Sequence, residues 1–154
     1  MSQRPLTLDT FLPYRLSITS NLVSSAIASA YEVLFGLTIP EWRLIAVTAE
    51  TAGITQQAIG QRTLMDKVTV SRAAINLVDR GLLARSPNAL DRRSHLLTLT
   101  SAGRDLYAQV GPKALELERE IFASFDAQEL TQLTAMLRRI DAVLLARADK
   151  RNDG

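Results

Sequence analysis

The 154-residue chain contains no cysteine and a single histidine, His95. Without thiols it can form no disulfide, sense no oxidant through a thiolate and use no cysteine nucleophile. One histidine leaves too few ligands for a zinc site built from side chains. A serine triad would have to recruit His95, which stands in a strand-like segment with no nucleophile elbow beside it. There is no glycine-rich phosphate loop. An enzyme is therefore not expected, and no catalytic residue, metal ligand or cofactor is assigned. Every apolar stretch is interrupted by polar residues before the roughly 18–20 needed to cross a bilayer, so no membrane partner is expected. The opening MSQRPLTLDT lacks the apolar core of an export signal, and a cytoplasmic location is the expectation.

Glutamate is missing from the middle of the chain. Between Thr55 and Arg104 stand eight basic residues (Arg62, Lys67, Arg72, Arg80, Arg85, Arg92, Arg93 and Arg104) and three acids (Asp66, Asp79 and Asp91), a balance of 8 − 3 = +5. The whole chain carries +2, so the remainder carries 2 − 5 = −3. A basic centre between acidic flanks fits a nucleic-acid face on a scaffold, or a solvated surface with uneven charge. Hydrophobic residues at 47% and charged ones at 22% are ordinary for a globular domain, and the length suffices for one core.

From Leu8 to Leu34 apolar residues recur with helical spacing, and Pro13 divides a short lead-in from the main helix. Pro40 suits the first turn of a second helix running to about Thr51. In TQQAIGQRTLMDKVTVSRAAINLVDRG, Thr55 caps a short helix to about Arg62 and Asp66 caps another over Lys67 to Arg80, with Gly81 past its end. Two short helices on so tight a turn read as a helix-turn-helix, although a bare helical hairpin has the same pattern. Val70, Ala74, Leu77 and Val78 would pack inward, leaving Lys67, Thr69, Ser71, Arg72 and Asn76 outside. Next, GLLARSPNALDRRSHLLTLT reads as a hairpin pairing Leu82–Arg85 with Ser94–Leu99. Thr100 or Ser101 caps a long amphipathic helix, which Gly111-Pro112 should bend. Asp126 and Glu129 form a capping box for the last one.

Helix-turn-helix followed by hairpin is the order of a winged helix: mainly α, with a small β-hairpin wing. In that architecture the second helix enters the major groove and the hairpin tip lies over the adjoining minor groove. A narrow minor groove concentrates negative potential that arginine exploits, which gives Arg92 and Arg93 a purpose. Asp91 would hold one guanidinium in place; otherwise the three form an ordinary surface ion pair in a polar turn. With Gln56 and Arg85, the candidate DNA-binding set is Gln56, Lys67, Val68, Thr69, Ser71, Arg72, Asn76, Arg85, Asp91, Arg92 and Arg93.

The run DKVTVSRAAINLVDRGLLARSPNALDRRSHLLTLTSAGR resembles the MarR family of bacterial transcription regulators. The resemblance rests on Asp66-Lys67 with Val70-Ser71-Arg72, on Asp79-Arg80-Gly81-Leu82, on Asp91-Arg92-Arg93, and on Leu99-Thr100 with Gly103. It departs at Val68, where the family often has a small polar residue; this position then reads a different base edge or meets a thymine methyl instead. The resemblance implies a homodimer, with residues 8–36 and 101–148 forming a helical dimerisation region and 38–100 the winged DNA-binding region. The apolar stripes agree, exposing more surface than one small winged domain covers; the alternative is a monomer folding its helices onto itself. A two-fold dimer would present its recognition helices to successive major grooves of a pseudo-palindromic operator.

The family also commonly binds a small molecule between dimer helices and winged domain. Tyr14, Arg15, Trp42 and Arg43 are candidates, because arginine beside aromatics suits an anionic aromatic such as a phenolic acid or its thioester. In the competing reading Trp42 is core and the arginines form interface salt bridges. The expected function is a homodimeric repressor released by such an effector; the alternative is a winged-helix protein-interaction or structural module without effector or DNA specificity.

Overall fold

The computed structural model describes residues 4–153. A 3-10 turn at Leu8–Thr10 leads into helix α1 (Leu12–Phe35), with Pro13 in its first turn, where a missing N–H costs no helical hydrogen bond. The helix stops at Gly36, whose φ of 60° is left-handed. Helix α2 (Ile39–Ala49) opens on a capping box: Glu41 N–H donates to Thr38 Oγ1 at 3.3 Å, and Thr38 N–H to Glu41 Oε1 at 3.2 Å. The axes of α1 and α2 meet at 78°.

The expected helix-turn-helix is present. Helix α3 (Gln56–Thr63) is capped by Thr55, which accepts the Ala58 N–H at 3.1 Å. Leu64 takes a left-handed φ of 57° in the turn, and Asp66 caps α4 (Lys67–Asp79). Gly81, at φ 72°, then releases the chain into strand β1 (Leu83–Pro87). Strand β2 (His95–Leu99) pairs antiparallel with it, from Leu83 opposite Leu99 to Pro87 opposite His95. The first strand thus lies slightly later than expected. Ile54 adds a bridge the sequence reading lacks, exchanging backbone hydrogen bonds with Leu97 at 3.1 and 2.8 Å. It ties the hairpin to the residue just before the cap of α3.

Thr100 caps α5 (Ser101–Ile121), accepting the Gly103 N–H at 3.0 Å, and the helix runs unbroken through Pro112. Helix α6 (Ala127–Asn152) begins at the Asp126/Glu129 capping box. Contacts divide the chain into Met1–Leu117 and Glu118–Gly154. The core of the first unit joins Tyr31, Leu44, Ile45, Ile59, Leu77, Leu83, Leu97 and Val110. On α4 the buried residues are Val70, Ala73, Ala74 and Leu77. Val78 is only half-buried, because the i, i+3, i+4, i+7 stripe from Val70 reaches Ala73 and leaves Val78 at its margin. In the second unit α6 buries no residue, and Met136, Ile140, Val143 and Leu144 are exposed along it. Among the described residues no single helix is long and apolar enough to cross a membrane.

Candidate nucleic-acid interface

The start of α4 is fixed by its cap. Asp66 Oδ1 accepts the Thr69 N–H and Oδ2 accepts the Thr69 hydroxyl, both at 2.8 Å. These bonds, the backbone one first, hold the Asp66 carboxyl below the usual carboxylate range. Thr69, half-buried, therefore spends its hydroxyl proton on the cap and keeps a methyl and an acceptor oxygen. Beside it Lys67, Val68 and Arg72 are exposed, while Ser71 is half-buried.

A cleft of about 310 Å³ joins the helix-turn-helix to the hairpin. Gln56 and Gln57 line it from the first turn of α3, Lys67 from α4, and Arg85, Arg93 and His95 from the hairpin. Four of the expected DNA-binding residues (Gln56, Lys67, Arg85 and Arg93) are thus brought together, and no carboxylate lines the cleft. Among the described residues no acid pairs with Lys67, Arg72, Arg85, Arg92 or Arg93. The N–H groups at the start of α3 add partial positive charge. Gln57 and His95 were missed. Gln57 sits at a helix start whose cap was legible, and His95 faces its strand partner Pro87 at the turn end of the hairpin.

One expected role changes, and one expected residue has a partner within the protein. Asp91 does not hold a guanidinium: its Oδ1 accepts the Arg93 backbone N–H at 3.0 Å, and its own carbonyl accepts the Ser94 N–H at 3.2 Å. A short acid can satisfy a nearby N–H within the turn at far less conformational cost than ordering a long arginine. Asn76 lies on α4 as expected, but its side-chain amide donates to Glu41 Oε2 at 2.6 Å.

The expected effector residues fall into two places. Trp42 is half-buried between Tyr31, edge-on at 5.6 Å, and Tyr107, stacked at 5.9 Å and 17°. Burial pushes the Tyr31 hydroxyl pKa up. Arg43 is exposed beside Trp42. Tyr14 and Arg15 are exposed near the start of α1, where Arg15 meets Asp9 at 3.4 Å. Seventeen residues of α1 separate Tyr14 from Tyr31, about 25 Å at 1.5 Å per residue. Within one chain the two pairs do not share a cleft. Tyr107, absent from the expected set, is the residue that stacks on Trp42.

Residues 35–94, from the end of α1 to the tip of the hairpin, match the model of the MarR family. The chain is thus similar to the MarR family of transcriptional regulators over its helix-turn-helix and hairpin. It is 26% identical over 107 residues to the homoprotocatechuate degradative operon repressor of Escherichia coli, covering 70% of this chain and 72% of that one. A MarR family transcriptional regulator from Silicibacter pomeroyi DSS superposes with a TM-score of 0.75 at 28% identity, over 86% of this chain and 89% of that one. CouR from Rhodococcus jostii RHA1, solved with p-coumaroyl-CoA bound, shares the fold at a TM-score of 0.79 and 23% identity, over 88% and 95% of the two chains. The winged-helix architecture, six α-helices and a two-stranded hairpin among the described residues, is that of these solved structures.

Proposed function

We propose that this chain is a MarR-type regulator, a homodimeric repressor that reads a pseudo-palindromic operator with α4 and the hairpin, and leaves it when an anionic aromatic effector binds. The observation that carries the DNA reading is the acid-free cleft where Lys67, Arg85 and Arg93 converge beside the N-terminus of α3. A phosphodiester backbone suits such a cleft, and Val68 and Arg72 then project from α4 toward base edges. Residues 38–100 act as the DNA-binding region, with 8–36 and 101–148 as the dimerisation region. Support for the latter is apolar surface without a cover: Leu12, Leu22 and Val33 on α1, and Val143 and Leu144 on α6, are all more than half exposed. The protein works in the cytoplasm, where its DNA is, and catalyses no reaction.

The effector reading rests on the aromatic group around Trp42 with Arg43 beside it, and on the names of the relatives. One is a homoprotocatechuate degradative operon repressor, and another of the same fold is bound to p-coumaroyl-CoA. Tyr14 and Arg15 serve that site only if a partner's α1 reaches it. An effector releases DNA only through its differential affinity for the two conformations, and saturating DNA must weaken effector binding by the same factor. The test is to select operator duplexes from a random pool with the full-length protein. Phenolic acids and their thioesters are then titrated into the complex while Trp42 fluorescence and DNA release are followed. Selection of a palindromic site and reciprocal weakening support the reading. A pool that converges on no sequence overturns the DNA part, and compounds that bind without releasing DNA overturn the switch.

A further inference from the structure

A buried acid holds α4 along the edge that carries Arg72, Asn76 and Arg80. Glu41 is 5% exposed. Its Oε1 accepts the Thr38 N–H, while Oε2 accepts the Asn76 side-chain amide at 2.6 Å and lies 3.6 Å from Arg80 Nη1. Asn76 and Arg80 stand one turn apart on the same face, Asn76 in α4 and Arg80 at its C-cap. Arg80 continues the chain of contacts, donating from Nη1 to the Gly36 carbonyl at 3.0 Å and from Nη2 to the Phe35 carbonyl at 3.4 Å. One carboxylate and one guanidinium thus join the end of α1, the start of α2 and the last turns of α4.

We infer that Glu41, Asn76 and Arg80 form a positioning clamp that sets the angle at which α4 is presented to DNA. Asn76 serves recognition through Glu41, not by touching a base. The inference rests on α4 being the recognition helix. Buried polar and ionic contacts add little net stability over an apolar replacement, but they admit few geometries. That trade suits a helix whose side chains must meet base edges within hydrogen-bond distance. Attraction to phosphates tolerates a small tilt; base readout does not. The clamp therefore acts on the ratio of specific to non-specific affinity.

The experiment compares the full-length parent with Asn76→Asp, Glu41→Gln and the double variant. Each is measured on a duplex selected with the parent, on an unrelated duplex of equal length, and by thermal melting. Asn76→Asp sets two carboxylates against each other and should lose about tenfold in affinity for the selected duplex. Glu41→Gln in the same chain restores an amide–carboxylate pair with the partners exchanged, keeps the net charge of the parent, and leaves Arg80 an acid one turn away. It should recover most of the loss, while affinity for the unrelated duplex follows net charge alone. If Glu41→Gln does not rescue Asn76→Asp while both fold, Asn76 is a base reader and the clamp is refuted. Equal losses on both duplexes, tracking the melting temperature, would mean a fold contact without a role in recognition. A parent that selects no sequence would remove the recognition-helix reading and this inference with it, whereas failed rescue leaves that reading intact.

Discussion

Replacing Arg93 with alanine should change the salt dependence of DNA binding more tellingly than the affinity at any one salt. The Arg93 side chain is exposed, lines the cleft with Lys67 and Arg85, and has no acid partner among the described residues. Its backbone is held by Asp91, so the alanine variant keeps the turn and loses only the cation. Each phosphate neutralised by a side chain contributes about 0.9 to the slope of log affinity against log salt. A two-fold dimer loses two such contacts, so the slope should become shallower by about 1.8. Between about 50 and 200 mM salt the parent would then lose about twelvefold more affinity than the variant. Fluorescence anisotropy of a labelled operator duplex at several salt concentrations measures both slopes. Parallel lines for parent and variant would refute the phosphate contact, and a difference near 0.9 would mean that only one wing engages.

Gly103→Ala should destabilise the fold by about 1–3 kcal/mol, because the added methyl would overlap the Leu82 carbonyl and move backbone, not a flexible side chain. Chemical denaturation checks it; a variant as stable as the parent would mean α5 can slide at no cost. Asp66→Ala should fray the first turn of α4 and weaken operator binding. Since the Asp66 carboxyl titrates below its unfolded value, the cap's contribution is complete above the ordinary carboxylate range and fades as pH falls through the lowered value. The stability gap between parent and variant, followed by thermal melting, should therefore hold at neutral pH and close in acid. Asp91→Ala should weaken DNA binding although it removes a negative charge, while Asp91→Asn, which keeps an acceptor for the Arg93 N–H, should bind at least as tightly as the parent. Binding assays showing the alanine variant tighter than the asparagine one would sink the turn-holding role.

Local chemistry made most of the fold legible. Thr55, Asp66 and Asp126 announce helix starts because a short side-chain oxygen three residues before an amide leaves one good option. Gly36 and Gly81 end helices with a left-handed residue for an equally local reason. The hairpin followed from alternation, and its arginines from composition. What failed to show lies between residues distant in the chain. The Ile54–Leu97 bridge, the Trp42–Tyr107 stack and the Asn76–Glu41 bond each join segments whose proximity follows only from packing.

Asn76 and Asp91 are instructive because both are legible as polar residues on the proposed DNA side, and each meets a group of the protein itself. A pattern reading sends a polar side chain to the most highly charged ligand in view, here a guanidinium or a base. The folded chain sends it to whichever group would otherwise be left unsatisfied. For Asp91 that group is the Arg93 N–H in a turn with no strand partner. For Asn76 it is a carboxylate that α2 has buried to cap its own first turn, and that needs donors beyond the Thr38 N–H. Exposed cations carry no such debt within the protein. Among the described residues Arg72, Arg85, Arg92 and Arg93 have no acid partner, and a cluster of one sign is what a polyanion can use.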